Sequence, residues 1–167
     1  ARMTSSTFSP IQPASVDWQD NTPVATAYDD PYFSRQDGMA ESRYVFLEGN
    51  RLPDRFAALS PGDLFVVGET GFGTGLNCLL AAQLFLQTAP SQAHLHLVSV
   101  EKHPLTLDDM RTALAHWPEL SPLSRALLAE YPPATPGQHR LKLHPNISLT
   151  LLYGEAERCW PLFRHPV

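Results

Sequence analysis

Three glycines alternate in one short stretch, Glu69-Thr70-Gly71-Phe72-Gly73-Thr74-Gly75-Leu76-Asn77. Glycines at this spacing let a backbone turn tightly and approach a ligand closely, beyond what a plain tight turn requires. A helix that starts directly after them offers unpaired N–H groups to an anion. Glu69 stands two residues before the first of the three glycines, where its charge would repel a pyrophosphate and attract a cationic ligand. Two more acids, Glu101 and Glu155, follow other candidate strands. An acid placed like Glu101, beside Lys102, can accept both hydroxyls of a ribose. One placed like Glu155 can accept from the amino group of a purine.

Two nucleotide chemistries compete for such a loop. The dinucleotide fingerprint is G-x-G-x-x-G, but here the third glycine comes one residue early, at Gly75, and Leu76 fills the expected place. With Glu69 ahead of it, the loop suits S-adenosylmethionine better. That molecule carries an ammonium and a sulfonium, and its one carboxylate can face the helix N-terminus.

The elements that must position these residues are outlined by proline. Sixteen prolines among 167 residues is about twice the usual ~5% share, and regular structure is expected in the windows between them. Asp63-Leu64-Phe65-Val66-Val67 is a continuous apolar run with β-branched members, predicting a strand buried on both faces. Leu76 to Ala89 predicts a helix with little polar face. His94 to Val100 predicts a second strand, Leu105 to Trp117 a helix with Pro104 in its first turn, Leu123 to Tyr131 a short helix, and Ile147 to Tyr153 a third strand. This order is that of an α/β parallel sheet with crossover helices. Upstream, Arg43 to Glu48 and Arg51-Leu52 flank Gly49-Asn50, a hairpin turn signal. Residues 1–60 are therefore expected to form an N-terminal extension with a hairpin, and residues 61–167 the ligand-binding unit.

Composition narrows the function classes. The chain is 43% apolar and carries a formal charge of −5, so a nucleic-acid role would rest on a local patch or on a partner. No apolar run approaches the ~20 residues of a membrane span, and Ala1-Arg2-Met3-Thr4 opens no secretory signal. Cys78 and Cys159 make neither a disulfide framework nor a metal pattern, which suits a reducing cytoplasm. Cys78 reads as a core residue, and His94 and His96 as ordinary strand histidines. Tyr28, Tyr32 and Phe33 could cover a ligand but suit core packing better. Arg35, Arg43, Arg51 and Arg55 could contact phosphates or stand as solvated charges.

The acid followed by GxGxG resembles the first motif of class I methyltransferases. A more specific resemblance is carried by Asp29-Asp30-Pro31-Tyr32-Phe33-Ser34, Ser42-Arg43-Tyr44-Val45-Phe46-Leu47-Glu48-Gly49-Asn50, the glycine loop, Glu101-Lys102-His103-Pro104-Leu105-Thr106 and His116-Trp117-Pro118-Glu119-Leu120. Over nearly the whole chain these segments are similar to the N-terminal methyltransferase domain of the MnmC family, bacterial bifunctional enzymes that make 5-methylaminomethyl-2-thiouridine at the tRNA wobble position. The resemblance implies the first half of a Rossmann-like three-layer sandwich, with methyl transfer from S-adenosylmethionine to the aminomethyl nitrogen of the wobble uridine. It implies tRNA as partner, and a flavin (FAD)-dependent oxidoreductase domain in the longer family members. It places Glu69, Gly71, Phe72, Gly73, Thr74, Gly75, Leu76 and Asn77 along the methionine moiety and Glu101 at the ribose, with Lys102 counted among the cofactor-binding residues. Glu155 would lie near the adenine, where the family typically has Asp.

The family also continues beyond the equivalent of Val167, into a fourth strand that pairs with the first and an Asp-Gly-Phe-Ala-Pro segment near the reacting methyl group. The expectation is therefore a fragment of a longer protein, with Leu64 to Val67 left as an unpaired apolar edge and no catalytic base assigned within the chain. A nicotinamide- or flavin-binding oxidoreductase domain and a non-catalytic module on the same scaffold are the competing readings.

Overall fold

The computed structural model describes residues 16–19, 22–25, 30–31 and 43–155, with burial and side-chain contacts from residue 45 onward. Tyr28, Tyr32, Phe33, Arg35, Cys159 and the side chain of Arg43 lie outside this description. Strands β1 (Val16–Gln19), β2 (Thr22–Ala25) and β3 (Asp30–Pro31) form a small antiparallel sheet. In it β1 and β2 make a hairpin, with Gln19 opposite Thr22.

The hairpin expected at Gly49-Asn50 is not formed. Arg43–Glu48 is a π-helix and Leu52–Ala57 an α-helix, α1, with proline in its first turn. Between them Arg51 adopts a left-handed conformation with φ 55°, and the Asn50 amide donates back to the Phe46 carbonyl at 2.7 Å. Burial explains the outcome. Helical turns on both sides of the bend put Leu47, Leu52 and Phe56 into the core together, which outweighs the local strand preference of Tyr44-Val45-Phe46. Phe56 meets Phe65 and Phe85 edge to face, with ring centroids 5.1 and 5.3 Å apart.

The main sheet contains β4 (Leu64–Thr70), β5 (His94–Glu101), β6 (Gly137–His144) and β7 (Ile147–Tyr153), in the order β4-β5-β7-β6. Strands β4, β5 and β7 run parallel, and β6 is antiparallel to β7. Strand β6 had no counterpart in the predicted elements. Its polar-apolar alternation buries Leu141 and Leu143 while Arg140 and Lys142 remain exposed, and Pro145-Asn146 turns the chain into β7.

Helices α2 (Leu76–Thr88), α3 (Leu107–Leu114) and α4 (Leu123–Glu130) supply the crossovers. Most of their buried residues share one core with Leu95, Leu97, Leu149 and Leu151 of the sheet. α3 is shorter than expected and starts after Pro104. The Thr106 hydroxyl caps it by accepting the Asp109 N–H at 3.2 Å.

One strand environment differs from expectation. Among the described residues, β4 pairs only with β5 and so stands at the edge of the sheet. Phe65 and Val67 turn toward the core, but Leu64 is 62% and Val66 56% exposed. An apolar run signals a strand buried on both faces only when both faces are covered, and here one is. Among the described residues, no strand covers the other edge of β4.

Candidate functional site

The strand-loop-helix turn after β4 holds the predicted residues. Gly71, Gly73 and Gly75 all have positive φ, at 82°, 57° and 81°, a conformation that side chains with a Cβ rarely adopt. At Gly75 space is closed as well, because a Cβ there would stand 2.7 Å from Phe72 Cζ and 3.1 Å from Leu127 Cδ2. Gly75 is also the residue from which α2 begins, and no side chain caps it. Phe72, Thr74 and Leu76 are buried and anchor the loop rather than face solvent.

Glu69 sits on the core-facing side of β4, directly opposite Ser99 in the parallel register. Its Oε1 accepts the Ser99 hydroxyl at 3.0 Å and the Cys78 thiol at 3.1 Å, and its Oε2 accepts the Asn77 amide at 3.4 Å. Among the described residues, no Lys or Arg forms an ion pair with it. Burial raises its pKa, the three donors act in the opposite direction, and the neighbouring Glu101 charge raises it further. Glu69 is half-buried, and Oε2 keeps a free lone pair. The Oδ1 of Asn77 is buried with no partner, so this corner is rich in acceptors and short of donors. Cys78 is packed in the core as expected. Its thiol bond to Glu69 is an addition that its buried position alone did not suggest.

Glu101 ends β5 and holds the loop from the other side. Its Oε1 accepts the Gly73 N–H at 2.8 Å and its Oε2 the His103 N–H at 2.9 Å. The Gly154 N–H donates to its backbone carbonyl at 2.9 Å. Each carboxylate oxygen keeps further acceptor capacity toward a ligand. Glu155 is not isolated in its turn: it pairs with Lys102, at 3.4 Å between Nζ and Oε1. Lys102 therefore bridges toward the third loop instead of pairing with Glu101. The ends of β4, β5 and β7 thus bring Glu69, Gly71 to Asn77, Glu101, Lys102 and Glu155 into one region, at the end of a parallel sheet where ligands bind.

The histidines stand apart. His96 Nδ1 lies 2.8 Å from Ser148 Oγ, and its Nε2 lies 3.1 Å from Thr150 Oγ1. Burial and the Arg140 charge push its pKa down. Among the described residues, no group of three or more His, Cys, Asp or Glu could hold a metal ion. A cavity of about 840 Å³ lined by Leu64, His94, His96, Arg140, Lys142 and Ser148 opens at the amino ends of the strands, the end opposite the glycine loop. Strand polarity and the converging acids point to the other end.

Sequence reasoning missed Ser99 and the role of Cys78. The available signal was the strand register, since aligning Leu64 with His94 puts Ser99 opposite Glu69.

Among known proteins, the chain is 54% identical over 156 residues to the tRNA 5-methylaminomethyl-2-thiouridine biosynthesis bifunctional protein MnmC of Pseudomonas aeruginosa strain UCBPP-PA14, covering 92% of this chain and 24% of that protein. It is 51% identical over 153 residues to the protein of the same name from Stutzerimonas stutzeri, covering 90% and 23%. The one from Chromobacterium violaceum is 50% identical over 149 residues, covering 89% and 23%. The chain therefore spans about a quarter of the length of these relatives. No family model matches it. Among solved structures, it resembles MNMC2 from Aquifex aeolicus, with TM-score 0.60 and 20% identity over 88% of this chain and 44% of that one, a likeness that supports the Rossmann-like α/β fold.

Proposed function

We propose that the chain belongs to the MnmC family and forms the S-adenosylmethionine-binding part of its methyltransferase domain, residues 61–167 carrying the site and residues 1–60 an extension. The observation that carries this reading is the Glu69 carboxylate. It is half-buried, fixed by three neutral donors and unpaired with any described cation, directly ahead of a loop with three left-handed glycines. A carboxylate desolvated without a counter-cation favours a positively charged ligand and disfavours a pyrophosphate.

When bound, S-adenosylmethionine supplies a methyl group activated by a positively charged sulfur. In this reading Glu69 and Asn77 accept from its ammonium group, the start of α2 receives its carboxylate, and Glu101 accepts from the ribose hydroxyls. Glu155 and Lys102 border the adenine. The acceptor of the methyl group is the aminomethyl nitrogen of the wobble uridine in tRNA. Holding donor and amine in line is the main contribution of such a site, worth up to ~7–11 kcal/mol in well-aligned cases. No group for the amine's proton is assigned among these residues. The names of the relatives, the order of the motifs and the site chemistry support the same assignment. A cytoplasmic enzyme, acting on tRNA alongside a flavin-dependent oxidoreductase domain, completes the proposal.

Calorimetric titration of the chain with S-adenosylhomocysteine and, separately, with NADH tests it. Tighter binding of S-adenosylhomocysteine is expected, and tighter binding of NADH would move the assignment to a dehydrogenase-type domain.

A further inference from the structure

We infer that Ser99 and Cys78 are positioning residues, which act on the ligand through Glu69 by holding its carboxylate ionised and in one orientation. The inference rests on the cofactor reading above and adds to it the part of the site that makes Glu69 usable. Ser99 has no exposed surface and Cys78 is 2% exposed, so neither contacts solvent. Both donate to the same oxygen, Oε1, at 3.0 and 3.1 Å. They approach from different elements, Ser99 from the middle of the sheet and Cys78 from the first turn of α2. Two donors from two directions fix the plane of the carboxyl group and leave Oε2, held only by the longer Asn77 contact, as the oxygen that can meet a ligand.

The arrangement answers a specific problem. A buried carboxyl with a second acid nearby drifts toward its neutral form, and a neutral Glu69 holds no cation. The groups acting on Glu69 are Cys78 and Asn77 from α2, with Ser99 and Glu101 from β5. Hydrogen bonds to the charged form are the only opposing influence among them. A serine in the core-facing row of β5, where Leu95 and Leu97 hold the preceding positions, has an account in these terms.

Ser99→Ala on the full chain tests the inference, with S-adenosylhomocysteine affinity measured by calorimetry from pH 5 to 9. Wild-type affinity should fall toward acid pH as Glu69 takes up its proton. In the variant the midpoint of this fall should move upward by about one pH unit. The difference is then about tenfold in Kd on the acid side and under about threefold at pH 9. Ser99→Cys, whose thiol can donate as that of Cys78 does, should lie between the two. Cys78→Ala should shift the midpoint in the same direction. A loss in Ser99→Ala that is equal at every pH, or no loss at all, overturns the inference. Failure of the wild-type chain to bind S-adenosylhomocysteine at any pH instead overturns the cofactor reading on which it rests.

Discussion

Glu69→Gln separates the electrostatic role of this residue from its place in the fold. A ligand ammonium about 4 Å from the carboxylate, at the effective dielectric of a partly exposed site, gains about 4 kcal/mol. Part of this is offset by desolvating the cation, and glutamine keeps one oxygen able to accept from Ser99 and Cys78. Its NH2 group, however, would face the donor of Asn77. A net loss of about 2–3 kcal/mol follows, or roughly a 30- to 150-fold increase in Kd, read by calorimetry with S-adenosylhomocysteine. The stability of the ligand-free chain should move the other way. Because the folded pKa of Glu69 is raised, its stabilising contribution is present below the ordinary glutamate range and is lost as pH rises through the folded value. Glutamine does not ionise, so the variant should melt at or above the wild-type temperature at pH 8, with the difference shrinking toward acid pH. A variant that binds within threefold of wild type, or melts lower at pH 8, would refute the reasoning.

Other expectations follow from single features. Gly75→Ala meets both a φ of 81° and a Phe72 atom at 2.7 Å, and should destabilise the chain by about 2–4 kcal/mol in urea melts. Gly71→Ala, with open space around it, should cost only about 1 kcal/mol. Burial holds the Tyr153 phenol up at about 12 against an ordinary 10.0. Its contribution is therefore complete below pH 10 and lost as pH rises to 12, by at most about 2–3 kcal/mol, and Tyr153→Phe should flatten this alkaline loss in unfolding titrations. Val66→Lys, at an exposed position of the free-edged β4, should lower concentration-dependent light scattering while changing stability by less than about 0.5 kcal/mol.

The parts of the fold legible in the sequence are those with a local cause. The glycine loop, the strand before it and the apolar helix after it are readable because their residue types suit little else, and the strand expected at Ile147 to Tyr153 has those bounds in the structure. Strand β6 escaped because its outward residues, Gln138, Arg140 and Lys142, carry no strand signal until paired with β7. A hairpin at Gly49-Asn50 does not form because distant side chains decide the outcome: Phe56 packs against Phe65 of β4 and Phe85 of α2. The candidate residues divide in the same way. Glu69, Glu101 and the glycines stand out in the chain, whereas Ser99 acquires meaning only once β4 and β5 lie side by side.

Residue 101 is the point at which three separated stretches of backbone meet. Its two side-chain oxygens grip the amides of Gly73 and His103, and its main-chain oxygen grips that of Gly154. One residue thus cross-braces the glycine loop, the end of β5 and the end of β7. Removing that carboxylate, as in Glu101→Ala, would release the Gly73 and His103 amides together and leave only the main-chain bond to Gly154.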